Sequence, residues 1–387
     1  MTDIGFLYAD HHATTPVAPE VLDSMAPWMV FSANASSVHS FGRAARQAVE
    51  EARADVARAI GASPEEIVFT SGGTEADNLA VRGGALAARE EDPRRTRVAV
   101  TKTEHPAVRE AARSLVPWGF RAEELSVDAD GLPLPEEAEA ALGAETALLS
   151  AILASNETGV VNGGVPALAG KARRAGALSH TDAVQAVGKI PVDVRALGVD
   201  LLSFSGHKIH GPQGTGALYV RKGVALSPRA FGGHQERGVR PGTENVAAIA
   251  GFGKSCELAA KRLEADAAYL AALRSEFEAA VLRRVPGAAV NGEGAPRLPN
   301  TANIAFEGLE GEILAFNLDL LGVAVSTVAA CSSADREPSH VLIAMGRTPA
   351  QARSSVRFSF GRGNSREDML RAVDLVVQAV ESMGGLR

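Results

Sequence analysis

Residues 201–208 read Leu-Leu-Ser-Phe-Ser-Gly-His-Lys. The apolar run that begins this stretch is typical of a strand buried on both faces of a sheet, and the polar turn after it ends the strand. Lys208 therefore stands at the end of a buried strand, where its amine can meet a ligand. A lysine in that position is a candidate to form an imine with an aldehyde.

A second apolar run ends in a carboxylate and an amide. Residues 179–185 read Ser-His-Thr-Asp-Ala-Val-Gln, which places Asp182 and Gln185 at the end of another strand. An amine, an acid and a hydrogen-bond donor are the groups that pyridoxal phosphate requires for its aldehyde, its ring nitrogen and its phenolate oxygen. The acid keeps the ring nitrogen protonated, because an opposite charge nearby favours the charged form. From these two segments alone, two ordinary strand ends remain the alternative.

The composition limits the classes of function. The chain has 387 residues, enough for a large core, and its net charge of −7 with no basic run argues against a nucleic-acid surface. No stretch approaches the roughly 18 uninterrupted apolar residues of a membrane helix, so we expect no membrane association. Two cysteines cannot build a disulfide framework, and the first residues carry no secretion signal. We therefore expect a soluble, cytoplasmic protein.

Apolar runs alternate with helical patterns through the first two thirds of the chain. A helical stripe of apolar residues extends from Arg43 to Ile60 and is stopped by Gly61. The runs that predict strands of a mainly parallel sheet are Ile67–Thr70, Arg97–Thr101, Ala147–Leu153, Leu201–Ser205 and Gly216–Val220. This alternation indicates an α/β domain.

From about Ser255 the pattern changes. A long amphipathic helix is predicted as far as Arg284, and shorter strands follow around Asn303–Phe306 and Val356–Phe360, each with a helix after it. This part of the chain is typical of an α+β domain.

Two domains are therefore expected. The larger α/β domain is predicted at residues 16–255. The smaller α+β domain would combine residues 1–15, which include a short strand near Leu7, with residues 256–387.

Polar residues follow several of the predicted strands. Residues 71–78 begin with Ser71, Gly72, Gly73 and Thr74 and open a helix, where backbone N–H groups and a hydroxyl could hold a phosphate. A plain turn between a strand and a helix is the alternative, since the segment is not the usual nucleotide-binding loop.

His105 and Asn156 follow the predicted strands that end near Thr101 and Leu153. Because ligands of open parallel sheets gather at the carboxyl ends of the strands, His105 could stack on a flat ring and move protons. A histidine that caps a helix or a turn is the alternative. Asn156 is expected at the same edge of the sheet.

Together these motifs resemble the class V aminotransferase group of pyridoxal-phosphate enzymes, and within it the cysteine desulfurases of the nitrogen-fixation and iron–sulfur-cluster type. The resemblance covers nearly the whole chain. It rests on segments in the family's order: Tyr8–Pro16, Asn34–Gly42, Phe69–Ala80, Glu104–Val108, Asn156–Gly159, His180–Lys189, Ser203–Pro212, Gly232–Gly238, Glu337–His340 and Ser355–Arg362. It implies the fold type I of pyridoxal-phosphate-dependent transferases, an α/β fold with a large, mainly parallel sheet domain and a smaller α+β domain.

The resemblance also implies roles for single residues. Lys208 would bind the cofactor covalently and, with His105 over the ring, would act in catalysis. Asp182 would contact the ring nitrogen, and Gln185 the phenolate oxygen. The remaining cofactor contacts would be Gly73, Thr74, Ser205 and His207 at the phosphate, together with Asn156 and Gly206.

The substrate and a second subunit complete the implied site. Asn156 and Arg357 would hold the carboxylate of L-cysteine, a task suited to the planar fork of arginine. Thr243 would contact the phosphate in the other subunit, so the resemblance implies a homodimer with shared active sites.

Cys331 is the candidate sulfur carrier. It lies in residues 326–338, a small and polar stretch that predicts an irregular loop. The resemblance implies that L-cysteine yields L-alanine and a persulfide on Cys331, and that the sulfur passes to an iron–sulfur scaffold or to a thiolation acceptor. In some relatives this persulfide also ligates a cluster, which makes Cys331 a candidate metal ligand. Cys256 lies in a helical pattern and is expected to be a packing residue.

The sequence departs from the family's pattern in two places. Residues 327–330 read Thr-Val-Ala-Ala, where these enzymes usually carry serine-glycine-serine-alanine. Val328 restricts the backbone more than glycine does, so we expect slower sulfur transfer or a different acceptor. Ala35 stands where the family usually has proline, and we expect little effect from it.

Three rival interpretations remain open. Asp10, His11 and His12 resemble the metal-binding signature of a phosphoesterase family, which would need further aspartate motifs that this sequence lacks. A pyridoxal-phosphate enzyme of another kind, such as a selenocysteine lyase, an aminotransferase or a C–S β-lyase, would not always need Cys331. A non-catalytic scaffold protein would need neither the lysine nor the cysteine.

Overall fold

The computed structural model describes residues 6–327 and 337–384. Its strands are β1 (Leu7–Tyr8), β2 (Ile67–Thr70), β3 (Arg97–Thr101), β4 (Arg121–Leu125), β5 (Thr146–Ser150), β6 (Leu178–Asp182), β7 (Leu201–Ser205), β8 (Gly216–Val220), β9 (Ala288–Val290), β10 (Thr301–Phe306), β11 (Val323–Ala324), β12 (Ser326–Thr327) and β13 (Ser355–Ser359).

The helices, also numbered in chain order, are α1 (Pro19–Val30), α2 (Ser40–Arg58), α3 (Gly73–Asn78), α4 (Gly84–Glu91), α5 (Pro106–Arg113), α6 (Pro135–Ala140), α7 (Val165–Arg174), α8 (Val194–Leu197), α9 (Val246–Arg284), α10 (Gly311–Leu320), α11 (His340–Ala344), α12 (Pro349–Arg353) and α13 (Arg366–Ser382). Short 3-10 turns lie at Pro64–Glu66, Val116–Trp118, Gly206–Lys208 and Gln235–Gly238, and a π-helical turn at Leu79–Gly83 joins α3 to α4.

The larger sheet has the strand order β2-β8-β7-β6-β5-β3-β4. Neighbouring strands from β7 to β4 run parallel, and β8 runs antiparallel between β2 and β7. Its strands are apolar on both faces because a core lies on each side. Phe69 packs in the core that includes α2 and the start of α9, and the adjacent Val68 packs in the core that includes α3, α4 and α5. The predicted mainly parallel α/β sheet is confirmed.

Six strands of this sheet end at one edge. β3, β4, β5, β6 and β7 are parallel, and β2 shares their direction because both β2 and β7 run antiparallel to β8. The register pairs Asp182 at the end of β6 with Ser203 in β7. The polar segments that follow these strands are thereby brought to the same side of the molecule.

A second, antiparallel sheet has the strand order β12-β13-β10-β9. The apolar side chains of its two central strands pack with the second half of α9 and with α13, and the rings of Phe277 and Phe358 lie 4.9 Å apart. β1 pairs with β11 in a separate two-stranded parallel ribbon. The predicted strand near Leu7 and the predicted strands of the carboxyl-terminal part are confirmed.

Helix α9 links the two cores and is longer than the sequence pattern indicates. It begins at Val246, nine residues before the predicted start, and the side chain of Asn245 caps it by accepting the N–H of Ala248 at 3.2 Å. The predicted domain boundary between residues 255 and 256 falls inside this helix. The division into residues 16–255 and residues 1–15 with 256–387 stays a prediction.

Within residues 6–327 and 337–384, no helix has both the length and the apolar character that crossing a bilayer requires.

Candidate functional site

A cavity of about 350 Å³ opens where the strand ends of the large sheet meet β13. It is lined by His12, Ala13, Gly73, Thr74, Asp77, His105, Ile152, Ala154, Asn156, Asp182, Val184, Gln185, Ser205, His207, Lys208 and Arg357. Most of the predicted site residues are therefore brought together. Gly206 and Thr243 do not line the cavity, and Cys331 lies outside the described residues.

Lys208 lies in the 3-10 turn that follows β7, and its amine is held at the cavity by backbone carbonyls. Nζ donates to the carbonyl of His12 at 2.5 Å and to that of Ala13 at 2.8 Å. Burial and the nearby guanidinium of Arg357 lower the pKa of Lys208 to about 8. An appreciable fraction of the amine is therefore neutral at slightly alkaline pH, as a nucleophile or a base requires.

Asp182 ends β6 and points its carboxyl group into the cavity. Its Oδ1 accepts the N–H of Val184 at 2.8 Å, and no hydrogen bond from the described residues reaches its Oδ2. Burial raises the pKa of Asp182 to about 6, while that N–H and the charge of Lys208 act in the opposite direction. The free oxygen suits a ligand that carries an N–H bond and a positive charge.

A buried chain of polar groups leads away from the cavity, starting at Asp77. Asp77 Oδ1 lies 3.6 Å from His180 Nε2, and His180 Nδ1 lies 2.8 Å from Ser150 Oγ, which donates to Glu104 Oε1 at 2.9 Å. Burial raises the pKa of Asp77 and of Glu104 well above its ordinary value and lowers that of His180 to about 3. Burial therefore favours the neutral forms of both Asp77 and His180 at this contact.

The charge of Asp182 is the second cause of the raised pKa of Asp77, after burial. Both residues line the cavity, and a negative charge on Asp182 favours the protonated form of Asp77.

Gln185 is 4% exposed, and both ends of its amide are engaged. Nε2 donates to the carbonyl of His12 at 3.0 Å, and Oε1 accepts from Nζ of Lys189 at 2.7 Å. One N–H of the amide remains for a ligand in the cavity.

His105 is the N-cap residue of α5. Its Nδ1 accepts the N–H of Ala107 at 3.1 Å, so the neutral ring carries its proton on Nε2. Burial, and then the charge of Lys208, lower the pKa of His105 to about 4. The capping role considered as an alternative is thus real, and the same histidine also lines the cavity.

Arg357 reaches the cavity from the middle of β13. Nη1 donates to the carbonyl of Asn156 at 2.8 Å, and Nη2 donates to Asp10 Oδ1 at 2.7 Å. Asn156 Oδ1 and Arg357 Nε are buried without a partner among the described residues. Since an amide flip would exchange Oδ1 for the donor Nδ2, these two side chains can offer donors to an anion such as a carboxylate.

The opposite end of the cavity is suited to a phosphate. Gly72 has φ +153°, and a Cβ at Gly73 would meet Val184 Cγ2 at 2.7 Å, so only glycine lets the backbone of α3 approach so closely. α3, the π-helical turn and α4 form a continuous helical segment whose first N–H groups face this end. Ser205 Oγ donates to the carbonyl of Thr215 at 3.2 Å, and its lone pairs remain available.

These groups fit pyridoxal phosphate. The donor set contains an amine for an aldehyde, a carboxyl oxygen without a partner for a ring nitrogen, an amide N–H for a phenolate and a helix start for a phosphate. The unpartnered buried atoms of Asn156 and Arg357 lie at the remaining side, where a substrate would bind. No group in the cavity is at odds with the cofactor.

The rival metal site is not supported. Asp10 pairs with Arg357, His11 Nδ1 lies 3.0 Å from the carbonyl of Ser359, and the buried His12 contacts Thr301 Oγ1 at 2.6 Å. The described residues contain no group of three or more histidine, cysteine, aspartate or glutamate side chains placed to hold a metal ion. The part of Cys256 in packing is confirmed, since it is fully buried in the core against α2.

Several lining or supporting groups were not assigned a role from the sequence. The polar ones include Asp77, Lys189 and the carbonyl of His12, which accepts from both Lys208 and Gln185. The side chains of Asp77 and Lys189 lie within the segments 69–80 and 180–189 quoted above, which was a usable signal. Because every residue has a backbone carbonyl, the sequence could not indicate that the carbonyl of His12 is an acceptor.

Known proteins resemble this chain over almost its entire length. A cysteine desulfurase of Trichormus azollae is 42% identical over 384 residues, covering 99% of this chain and 95% of the relative. A protein of Dictyoglomus turgidum named cysteine desulfurase IscS is 43% identical over 378 residues, covering 97% of this chain and 95% of the relative. A solved NifS-like protein superposes with a TM-score of 0.89 at 34% identity, covering 97% of this chain and 100% of that one.

The structural match shows that the large mainly parallel sheet with its smaller α+β part is the fold type I of pyridoxal-phosphate-dependent transferases. The family model described as aminotransferase class-V matches residues 7–371. The chain belongs to the class V aminotransferase family.

Proposed function

We propose that this chain is a pyridoxal-phosphate-dependent cysteine desulfurase that converts L-cysteine to L-alanine and leaves the sulfur as a persulfide on Cys331. The observation that carries the proposal is the single cavity in which Lys208, Asp182 and Arg357 meet. The relatives at 42–43% identity are named cysteine desulfurases, so a selenocysteine lyase or a C–S β-lyase is not favoured.

The cofactor, when bound, supplies an aldehyde for an amine and a ring that withdraws electrons from the substrate's α-carbon. Lys208 would hold it and, once displaced by the substrate's amine, take the α-proton on Nζ. The lowered pKa of Lys208, to about 8, leaves a larger fraction of the amine neutral and able to accept that proton than an ordinary lysine would have. Asp182 would hold a proton on the ring nitrogen.

Arg357 and Asn156 would orient the substrate through its carboxylate. The guanidinium is fixed by Asp10 and by the carbonyl of Asn156, so its remaining N–H groups are already aimed. Preorganised donors lose little freedom on binding, which favours one orientation of the α-carbon over Lys208.

His105 would move a second proton. Its Nε2 carries the proton of the neutral ring, and its lowered pKa, about 4, keeps the ring neutral at working pH. A neutral imidazole can stack on a flat ring, and its N–H at Nε2 can donate toward a group that gains a proton.

Cys331 would accept the sulfur. Its thiolate would attack the sulfur of the bound substrate, so that an S–S bond forms and the substrate's C–S bond breaks, with the bonding electrons left on carbon. Protonation of that carbon gives L-alanine, and the thiol and the substrate together give one persulfide and one alanine, with no other oxidant or reductant.

The active form would be a cytoplasmic homodimer that delivers sulfur to an iron–sulfur scaffold or to a thiolation acceptor. Thr243 is exposed and does not line the cavity of its own chain, as expected of a residue that serves a second subunit. Large apolar side chains near the ends of α1 and α2, including Val30 and Val38, are 86% and 87% exposed, and a partner would cover such surface. Sedimentation of the purified protein tests the dimer directly.

Product analysis tests the proposed reaction. The protein reconstituted with the cofactor is incubated with L-cysteine and a reductant, and alanine and sulfide are measured together. Equal amounts are expected, whereas pyruvate with ammonia would indicate a β-lyase. Cys331→Ser is expected to stop sulfide release, and release at the wild-type rate would contradict the part given to Cys331.

A further inference from the structure

Lys189 is a buried lysine to which the proposed reaction gives no part. It lies in the turn after β6 and is 8% exposed. Its Nζ donates to Oε1 of Gln185 at 2.7 Å and to the backbone carbonyl of Gln185 at 3.1 Å. Burying an ammonium group is costly unless it is well hydrogen-bonded, so a lysine at this position calls for an explanation.

The two contacts of the Gln185 amide determine which way it faces. The oxygen and nitrogen of a glutamine amide are nearly equal in shape, and their assignment depends on their partners. Nζ of Lys189 is placed as a donor to both oxygens of Gln185, and the carbonyl of His12 can only accept. The amide oxygen must therefore face Lys189 and the NH₂ group must face His12 and the cavity.

We infer that Lys189 is a positioning residue that fixes the Gln185 amide with its N–H toward the cavity, where a phenolate oxygen of the cofactor would accept it. Without Lys189, only the carbonyl of His12 opposes a flip of the amide, and the flipped amide would present its oxygen to the phenolate, where two acceptors would repel each other. The inference rests on the proposed cofactor, because the cavity-facing N–H needs an acceptor there.

The surroundings of Lys189 argue against a role as a simple counter-ion. The charges that act on it are those of Lys208 and Arg357, both positive, and together with burial they lower the pKa of Lys189 well below its ordinary value. No salt bridge joins Lys189 to an acidic side chain of the described residues. Its two short contacts are both to Gln185, so the effect of the ammonium should pass through that residue.

The test is a double-mutant cycle on cofactor binding. The variants are Lys189→Met, Gln185→Met and the pair together, made in the full chain. Cofactor-free protein is titrated with pyridoxal phosphate, and the dissociation constant, the absorption spectrum of the bound cofactor and the melting temperature without cofactor are measured. Lys171→Met, which removes a lysine from an exposed contact with Glu139, is the matched control.

Lys189→Met is expected to weaken cofactor binding about ten-fold and to shift the absorption maximum of the bound cofactor, since one hydrogen bond to the ligand is lost. In the Gln185→Met background, Lys189→Met should cause no further loss of affinity. The control should bind the cofactor as the wild type does. A merely structural role of Lys189 would lower the melting temperature and leave the absorption maximum in place.

Two results would overturn the inference. One is wild-type affinity and an unchanged spectrum in Lys189→Met, and the other is a ten-fold loss that persists in the Gln185→Met background. If Lys189→Met does not fold, the comparison of the double variant with Gln185→Met still decides, because the double variant leaves no unpaired side-chain group and only the backbone carbonyl of residue 185 loses a contact. Failure of the wild type itself to bind the cofactor would instead contradict the proposed function.

Discussion

The large sheet supplies its functional groups at the ends of strands, whereas the four-stranded sheet supplies Arg357 from the middle of one. Asp182 ends β6 and Lys208 follows β7, where side chains leave the sheet edge and enter the cavity. Arg357 lies at the third position of β13, is 7% exposed and pairs in register with Asn303 of β10. In the large sheet, the strand order places these groups at one edge. In the four-stranded sheet, one side chain, that of Arg357, extends from a buried strand to the cavity.

The two sheets would therefore have different parts in the proposed reaction: the large sheet acts on the cofactor, and the four-stranded sheet binds the substrate. Under the proposed function, the strand ends of the large sheet hold the amine, the acid and the amide that would act on the cofactor, and a parallel sheet brings such ends together whatever its loops contain. The antiparallel sheet would contribute a donor for the substrate's carboxylate, anchored by Asp10 next to β1. Substitutions at the strand ends should therefore lower kcat, and substitutions on β13 should raise KM.

The largest effect is expected from Lys208→Ala. The variant loses both the covalent attachment of the cofactor and the base that takes the α-proton, so kcat should fall by about 10⁴-fold. Borohydride treatment of the wild type followed by peptide mass analysis should find the reduced cofactor on Lys208. A cofactor trapped on Lys189 or on Lys102 instead would show that the wrong strand end had been chosen.

Asp182→Asn should be the next most damaging change, and Asp77→Asn provides its matched control. The amide at position 182 cannot balance a charge on the ring nitrogen, and kcat should fall by about 10²- to 10³-fold. Burial and the charge of Asp182 raise the pKa of Asp77 and favour its uncharged form, so an uncharged amide there should change kcat by less than about ten-fold. Equal losses in the two variants would show that both carboxyl groups ionise.

Arg357→Leu tests the four-stranded sheet. Loss of a buried, charge-assisted contact with the substrate's carboxylate should raise KM for L-cysteine about 10²-fold, with a smaller change in kcat. Asp10→Asn removes the anchor but keeps the guanidinium and its bond to the carbonyl of Asn156, so a change of only a few-fold in KM is expected. A fall in kcat at constant KM would place Arg357 among the groups that act on the reacting atoms.

The strand ends were predictable from the sequence, and the contacts behind them were not. Apolar runs predicted β2, β3, β7 and β8 at their observed bounds, because strands buried on both faces leave a continuous apolar signal. β4 (Arg121–Leu125) was missed because it is an edge strand that carries glutamates. α9 began earlier than expected because its first turns are rich in small residues, with little amphipathic contrast.

The candidate site likewise contains residues that the sequence predicts and contacts that it does not. Lys208, Asp182 and Gln185 could be placed from their positions after apolar runs, whereas Arg357 and Thr243 came only from the resemblance to a family. The carbonyl of His12, which holds both Lys208 and Gln185, could not be found because a backbone atom has no residue type. The contact of Lys189 with Gln185 can be identified only when the directions of their side chains are known.

The smallest expected effect is that of Lys208→Met on the stability of the cofactor-free protein. It measures how strongly Arg357 of the four-stranded sheet acts on the amine of Lys208 at the end of the large sheet. Burial and Arg357 lower the pKa of Lys208 from its ordinary value to about 8. Below pH 8 the amine is charged in both the folded and the unfolded chain, so the folded wild type bears the full cost of burying it. As the pH rises from 8 to about 10.4, the folded chain releases its proton first and that cost disappears.

Lys208→Met should therefore be more stable than the wild type at pH 7, by at most about 3 kcal/mol, and this advantage should shrink steadily between pH 8 and pH 10.4. Melting temperatures of the two cofactor-free proteins across this range provide the measurement. Because Arg357 is one cause of the lowered pKa, the same comparison in an Arg357→Leu background should show a smaller advantage at pH 7 and a change that begins at a higher pH. An advantage that is independent of pH, or unaffected by Arg357→Leu, would mean that the guanidinium on β13 does not act on the amine at the end of β7, and that the two sheets contribute to the site independently.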